Sequence, residues 1–174
     1  DVVTVNASGN GSVTVYLGPS FRESGSYANA FSYSIALADV NEDGNVDAIS
    51  SSYSMDDEFR VLFGNGDGTF APAVIRTAPG TAYSYYVIAR DLNRVHHVDL
   101  VMGSAILLGT GTGTFTPSSF VLQSRTCVVG DFNSDARPDL AYFNWSNGIE
   151  IALGMLGGGF MSTTYIPLGG VPTA

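Results

Sequence analysis

The chain has 174 residues, 45% of them hydrophobic and 13% charged, and its formal net charge is −9 at pH 7. This composition excludes a disordered acidic tail, and the seven basic residues, all arginine, are too few for a nucleic-acid-binding patch. No apolar run approaches the ~20 residues of a membrane-spanning helix, and the single cysteine, Cys127, excludes an internal disulfide bond.

The first 30 residues predict strands of a β-repeat whose beginning is absent. The runs "DVVTV" and "SVTVYLG" alternate apolar and polar residues, as half-buried strands do. They align with "DAISS" and "FRVLFG" further along the chain, which places Asp1 at the last acidic position of a loop. We therefore expect residues 1–30 to form a partial first repeat.

An acidic loop follows the next predicted strand, "SIALAD". Residues 39–47, "DVNEDGNVD" (loop one), carry side-chain oxygens at places one, three, five and nine: Asp39, Asn41, Asp43 and Asp47. Clustered acids destabilise a fold unless a cation lies among them, and calcium takes six to eight oxygen ligands. Gly44, at place six, permits a sharp turn around an ion. The loop predicts a calcium site; the alternative is a solvent-exposed Asn/Asp turn without metal.

The same pattern occurs twice more. Residues 131–139, "DFNSDARPD" (loop three), repeat the places of loop one. Residues 91–99, "DLNRVHHVD" (loop two), have Val95 at place five and Arg94 inside the loop, so we expect weak calcium binding or none there. His96 and His97 lack the partner spacing of a zinc site, which favours a turn or packing role.

We expect two calcium sites and a degenerate third. At place seven the ligand is a backbone carbonyl. The expected ligands of the two sites are Asp39, Asn41, Asp43, Asn45 and Asp47 in loop one and Asp131, Asn133, Asp135, Arg137 and Asp139 in loop three. The degenerate set in loop two is Asp91, Asn93, His97 and Asp99. An EF-hand or dockerin is disfavoured, because place twelve of loop one is Ser50 and a strand-forming run follows.

Strand patterns flank each loop. One apolar strand precedes the loop and another follows it, and a third strand ends in a glycine with a phenylalanine six residues later: Gly64 and Phe70, Gly109 and Phe115, Gly154 and Phe160. Loop starts 52 and 40 residues apart suit a four-stranded propeller blade. We therefore predict an all-β propeller segment of antiparallel four-stranded blades. Its partial blade is 1–30, and its full blades are about 31–78, 79–123 and 124–170.

The two complete D-x-N-x-D-x-x-x-D loops and the segment "LFGNGDGTFAPA", residues 62–73, resemble FG-GAP/VCBS repeats. These repeats are found in integrin alpha-subunit propellers and in bacterial and fungal surface proteins and lectins. The resemblance covers almost the whole chain. Two positions depart from it: Val95 replaces the central acid of loop two, and Phe21 follows Gly18 by only three residues.

The resemblance implies a calcium-stabilised, non-catalytic recognition module that binds carbohydrate or a protein surface. It implies a location outside the cell or at its surface, with the periplasm as the alternative. Two other functions stay open: the propeller part of a polysaccharide lyase or hydrolase, and a structural spacer in a larger surface protein. Because the first repeat lacks its first strand, we expect the remainder of a longer propeller chain, or else a homodimer, to complete the ring.

Two aromatic residues are candidates for ligand binding. Trp145 is predicted at a hairpin tip of the last repeat, and Tyr85 lies in the run "AYSYYV". The alternatives are a packed tryptophan between blades and, for the tyrosine run, a half-buried strand. Sequons for N-glycosylation begin at Asn6, Asn10 and Asn144 and would matter only in a glycosylating host.

Overall fold

The computed structural model describes residues 1–7, 11–28, 32–53, 55–144 and 148–168. These ranges contain fifteen strands in four sheets and no helix, which confirms the prediction of an all-β chain. Sheet one consists of β1 (Val2–Asn6), β2 (Ser12–Leu17) and β3 (Arg22–Ala28). Sheet two consists of β4 (Ile35–Ala38), β5 (Asp47–Ser51), β6 (Glu58–Leu62) and β7 (Val74–Thr77).

The other two sheets repeat the arrangement of sheet two. Sheet three consists of β8 (Val87–Arg90), β9 (Asp99–Met102), β10 (Ala105–Gly109) and β11 (Phe115–Pro117). Sheet four consists of β12 (Cys127–Gly130), β13 (Asp139–Asn144), β14 (Gly148–Gly154) and β15 (Phe160–Pro167). In all four sheets, strands that are consecutive in the chain are antiparallel neighbours. No helix long and apolar enough to cross a membrane occurs in the described ranges.

Each acidic loop connects the first and second strands of its sheet. The last residue before the loop pairs with the aspartate at place nine: Ala38 with Asp47, Arg90 with Asp99, and Gly130 with Asp139. The second strand therefore begins at the last acidic place of the loop. The sequence analysis places Asp1 at this same position, just before β1, in sheet one.

Three hydrophobic cores lie between successive sheets. Val13 of sheet one packs with Ala48 and Leu62 of sheet two. Their strand neighbours Ile49 and Val61 belong to the core that sheet two shares with sheet three, because successive side chains of a strand point to opposite faces. Sheet three divides in the same way: Leu100, Met102 and Leu107 pack toward sheet two, and Val101 and Ile106 pack toward sheet four. The sheets are therefore stacked in series.

The recurrent glycine and phenylalanine are cross-strand partners. Gly64 pairs with Phe70, and the same pairing joins Gly109 with Phe115 and Gly154 with Phe160. Each phenylalanine then packs in the core that its sheet shares with the preceding sheet. The pattern seen in the sequence thus fixes both a turn and a packing contact.

The glycine of this pair lies directly against the acidic loop. A Cβ atom at Gly64 would lie 2.2 Å from the carbonyl oxygen of Val46, at place eight of loop one. The equivalent Cβ would be 2.1 Å from a place-eight carbonyl at Gly109 and 2.2 Å from one at Gly154. Real Cβ atoms do not approach a backbone oxygen this closely, so any side chain here would displace the loop.

The tyrosine run at 82–87 is not a strand, so the half-buried-strand alternative is wrong for it. Strand β8 begins only at Val87. Tyr83 has a φ of +54°, which an extended strand does not permit. Two side-chain hydrogen bonds hold the turn: Thr81 Oγ1 donates to the carbonyl of Ala78 at 2.8 Å, and Ser84 Oγ donates to that of Tyr86 at 2.6 Å.

Candidate metal centre

Loop one folds around its own side-chain oxygens. The Asp39 carboxylate accepts hydrogen bonds from the N–H groups of Asp43 (3.2 Å) and Gly44 (2.8 Å). Asn41 Oδ1 accepts from the same Asp43 N–H at 3.2 Å, and Asp43 Oδ1 accepts from the Asn45 N–H at 2.8 Å. The oxygens of places one and three thus meet at one backbone group, with the place-five carboxylate beside them.

The Asp43 carboxylate is held in its ionised form. The Asn45 N–H and then the Asn41 amide, which donates to Asp43 Oδ2 at 2.8 Å, lower the pKa of this side chain. Asp43 therefore offers a full negative charge at neutral pH. That charge, beside the oxygens of Asp39 and Asn41, is what a hard cation requires.

Loop three repeats these contacts almost atom for atom. Asp131 accepts from the N–H groups of Asp135 (3.1 Å) and Ala136 (2.9 Å), Asn133 Oδ1 accepts from Asp135, and Asp135 Oδ1 accepts from the Arg137 N–H. Burial opposes ionisation of Asp135, but the Arg137 N–H, the Asn133 amide and the Arg137 charge outweigh it and lower its pKa.

Arg137 introduces one difference from loop one. Its guanidinium donates to Asp135 Oδ2 at 2.5 Å and to the Gly154 carbonyl at 3.0 Å. From the sequence, only the backbone carbonyl of Arg137 was expected at the metal, and this internal ion pair was not predicted. A cation at loop three would have to share the Asp135 carboxylate with Arg137 or displace the guanidinium.

Loop two has the same turn with fewer oxygens. Asp91 accepts hydrogen bonds from the N–H groups of Arg94 (2.6 Å) and His96 (2.9 Å), and Asn93 Oδ1 accepts from Val95 at 3.2 Å. Because loop two has no place-five carboxylate, only three side-chain oxygens, two from Asp91 and one from Asn93, accept hydrogen bonds from the turn. The degenerate calcium site therefore stays a prediction.

The aspartate at place nine of each loop accepts hydrogen bonds from a backbone N–H of the loop and from one of the hairpin, and we call this pair of bonds the clasp. Asp47 is fully buried; its Oδ2 accepts from the Val40 N–H at 2.9 Å, and its Oδ1 accepts from the Gly64 N–H at 2.8 Å. Asp99 and Asp139 are equally buried and accept the same two bonds. One comes from the N–H at place two of the loop, and the other comes from the N–H of the hairpin glycine. From the sequence, a metal ligand was predicted at place nine but this clasp was not, although the recurrent glycine was an available signal for it.

Burial acts on two of these carboxyl groups. Desolvation raises the pKa of Asp47 and of Asp99, although two backbone hydrogen bonds to each group act in the opposite direction. For Asp47 the neighbouring charges of Asp43 and Asp39 raise the pKa further. A cation among the loop oxygens would reverse this repulsion.

All three loops use left-handed backbone at places four and six. In loop two and loop three every one of these residues carries a side chain, and in loop one only place six is glycine. The φ values are +60° and +88° at Glu42 and Gly44, +63° and +71° at Arg94 and His96, and +62° at both Ser134 and Ala136. Left-handed backbone costs a residue with a Cβ about 1–2 kcal/mol. The contacts of the loops therefore impose this path.

A side-chain pair joins loop one to loop two. His97 Nδ1 hydrogen-bonds Glu42 Oε1, and both side chains are partly exposed. The Gly113 N–H also donates to the Val40 carbonyl at 2.8 Å, which links loop one to the hairpin of sheet three. His97 thus contacts the neighbouring loop through a hydrogen bond, and its place in the degenerate metal set stays a prediction.

The donor set of loop one fits calcium. It consists of oxygen atoms alone, from carboxylates, an amide and, at Asn45, a backbone carbonyl, which suits a hard cation. Within the described ranges no three His, Cys, Asp or Glu side chains converge on one metal position. The amide and carbonyl oxygens would therefore have to complete the coordination.

Four tyrosines form a second feature at the other end of the strands, and we name Tyr33, Tyr53, Tyr83 and Tyr85 the tyrosine cluster. Tyr53 is central, with ring centroids 5.3 Å from Tyr33, 5.1 Å from Tyr83 and 4.8 Å from Tyr85. A hydrogen bond with Tyr53 raises the pKa of the Tyr85 hydroxyl. Tyr85, which the sequence analysis proposed as a ligand contact, therefore belongs to an aromatic surface.

Two of the other candidates, Trp145 and the sequon residue Asn10, lie outside the described residues. Asn6 ends β1, and Asn144 ends β13, where its amide donates to Glu150 Oε2 at 3.1 Å.

The comparisons with known proteins return no relative. No protein-family model matches the chain, and a search of curated proteins finds no match. The resemblance to FG-GAP/VCBS repeats rests on the repeated residues alone and stays a proposal.

Proposed function

We propose that this chain is a calcium-stabilised segment of a β-propeller that recognises a carbohydrate or protein surface without catalysing a reaction. One observation carries the proposal: loops one and three hold the same oxygens in the same contacts on the same left-handed backbone path. Two copies of a cation-binding loop would share this geometry, and loop two, which lacks the place-five carboxylate, keeps only part of it.

The propeller part of the proposal is supported by the packing of the sheets. Sheets stacked in series, three of them with an acidic loop on the first connection, are what successive blades provide. The last sheet leaves apolar side chains uncovered, with Val128 60% and Ile166 44% exposed. A further blade would cover such a face.

Calcium would act here as a structural tie. The ligands come from the connection between the first and second strands, and the place-nine clasp links that connection to the third strand. An ion in the loop would fix three strands of the sheet and offset the repulsion among the acids. The loop acids are occupied in this way, so we assign them no catalytic step. Millimolar calcium outside the cell would fill sites of modest affinity, which favours an extracellular or periplasmic location.

Thermal unfolding in calcium and in EDTA tests the proposal. At a hundredfold excess over Kd, one site adds about 2.7 kcal/mol, which raises the Tm of a chain of this size by roughly 5–10 °C. Asp43→Ala and Asp135→Ala should each remove part of the shift, and the double variant should remove it all. Asp67→Ala, at an exposed turn outside the loops, is the control. A full shift in the double variant would refute the calcium assignment.

A further inference from the structure

We infer that the tyrosine cluster is a saccharide-binding platform, on which the apolar face of a neutral pyranose ring stacks. This inference rests on the proposed recognition role and gives it a site and a ligand class. The rings of Tyr33 and Tyr85 are the outermost surfaces, at 49% and 52% exposed. Tyr53 and Tyr83 are half-buried beside them.

The cluster is built from equivalent positions of successive repeats. Tyr33, Tyr85 and Arg125 each lie two residues before the first strand of their sheet. The acidic loop follows the other end of that strand, so the cluster and the loops are at opposite ends of the sheets. Tyr33 and Tyr85 come together across the two sheets, with ring centroids 5.5 Å apart. Arg125 continues the row, with its guanidinium carbon 5.3 Å from the ring centroid of Tyr83.

The rings do not serve the hydrophobic cores. None of the four belongs to, or packs against, the three cores formed by the described residues, although Tyr27 and Tyr86 do. The four rings instead contact one another at the surface. Two half-exposed aromatic rings held together outside a core keep apolar area in water, and a ligand would cover it.

The segments that carry the rings are held in place beneath the surface. Asp57 Oδ1 accepts from the N–H groups of Gly80 (3.0 Å) and Ala82 (2.9 Å), which joins the turn after Tyr53 to the segment before Tyr83. Other bonds join neighbouring segments: Val87 N–H to Ser34 Oγ at 3.2 Å, and Gly103 N–H to the fully buried Ser84 Oγ at 2.8 Å. A platform fixed before binding loses little entropy when a ligand arrives.

The geometry selects the ligand class. The rings lie 4.8–5.5 Å from each other, mostly edge to face, so no gap remains in which an aromatic cage could hold a cation. Tyr33 and Tyr85 keep about half of their surface in water, and the Arg125 guanidinium lies beside Tyr83, so apolar rings, polar hydroxyls and a cation are close together. A pyranose ring has a matching apolar C–H face and a rim of hydroxyls. The net charge of −9 disfavours polyanionic ligands.

The test uses the full chain in calcium and a panel of methyl pyranosides of glucose, galactose, mannose and N-acetylglucosamine, followed by saturation-transfer NMR and titration calorimetry. We expect at least one of these to bind, with Tyr33→Ala and Tyr85→Ala each weakening its affinity about tenfold. Tyr85→Phe keeps the ring and should retain most of the affinity. Tyr165→Ala, an exposed tyrosine on β15, is the matched control and should leave binding unchanged.

Three results would overturn the inference: no pyranoside binds, binding survives both tyrosine-to-alanine variants, or a polyproline peptide binds through these tyrosines where the sugars do not. Calcium-dependent melting of the same samples separates this outcome from failure of the calcium proposal. A normal melting shift without sugar binding refutes the platform alone. If the parent chain binds sugar and Tyr85→Ala does not, but calcium does not raise the Tm, the metal sites alone are refuted.

Discussion

The Asp1 carboxylate accepts a hydrogen bond from the backbone N–H of Gly18 at 2.8 Å. Asp47 makes the same bond with Gly64, also at 2.8 Å. The contact therefore recurs in sheet one, where Asp1 is exposed. In sheet two it joins the start of the second strand to the end of the third. In sheet two, the buried Asp47 carboxylate and the acidic loop that it ends therefore both stabilise the repeat.

The buried carboxylate should be more important for stability than an exposed acid. We predict that Asp47→Asn lowers the free energy of unfolding by about 1–3 kcal/mol, because the amide presents N–H groups to a buried N–H donor and leaves it unsatisfied. Urea unfolding in EDTA measures this change without a contribution from calcium. Asp67→Asn is the control, since Asp67 is exposed and bonds only Thr69, and it should change stability by less than about 0.5 kcal/mol. Equal stability of the two variants would contradict the clasp.

The hairpin glycines should tolerate no side chain. In Gly109→Ala the new Cβ would lie 2.1 Å from the Val98 carbonyl oxygen, so loop two or β10 must move. We predict a loss of about 3 kcal/mol, at the upper end of overpacking effects. Gly18→Ala is the repeat-equivalent control, because the nearest atom to its Cβ is 3.7 Å away. Thermal and urea unfolding of both variants compare them directly, and similar stabilities would rule out the steric explanation.

Much of the fold was predictable because the repeats share local constraints. The strand before each loop, the strand after it and the pairing of Gly64 with Phe70 all follow from apolar alternation and turn chemistry. Position-specific errors arose where turns replaced strands. The run at 82–87 reads as an alternating strand, but the Thr81 and Ser84 hydroxyls bind the backbone and turn it.

Contacts between repeats could not be predicted in this way. The pair His97–Glu42 joins residues 55 positions apart, and the tyrosine cluster joins three separate segments. Such contacts depend on how neighbouring sheets are placed, which local pattern does not determine. Tyr85 could be singled out because it lies in a tyrosine-rich run, whereas no local sequence pattern marks its partner Tyr33.

Left-handed backbone at place six predicts opposite effects in two loops. Gly44 has a φ of +88° and no atom near its missing Cβ, so Gly44→Ala should lose about 1 kcal/mol from backbone strain alone. Ala136 has a φ of +62°, so Ala136→Gly should gain stability, by less than about 1 kcal/mol because glycine also gains freedom when unfolded. Urea unfolding in EDTA compares the pair. Changes of the same sign in both variants would show that backbone strain does not control these positions.

The thiol of Cys127 should be unreactive in the native protein. It is buried between sheets three and four, and burial raises the pKa of its thiol from the ordinary 9.0 to about 11, against a hydrogen bond with Tyr86 that lowers it. The reactive thiolate is therefore scarce at pH 8. We predict slow reaction with a disulfide reagent in buffer and immediate reaction in urea. Rapid native labelling would mean that sheet four opens readily.

The same thiol makes stability depend on alkaline pH. A pKa that is higher in the folded than in the unfolded chain stabilises the fold fully below pH 9, and this contribution is lost as the pH rises through 11. The two-unit rise corresponds to about 2–3 kcal/mol. Cys127→Ala should therefore unfold with a flatter dependence on pH between 9 and 11 than the parent chain, even if its stability at pH 7 is lower. Part of the residual slope belongs to Tyr86, whose pKa burial also raises, and Tyr86→Phe in the Cys127→Ala background should reduce it further. An unchanged slope in Cys127→Ala would show that the thiol does not titrate with unfolding.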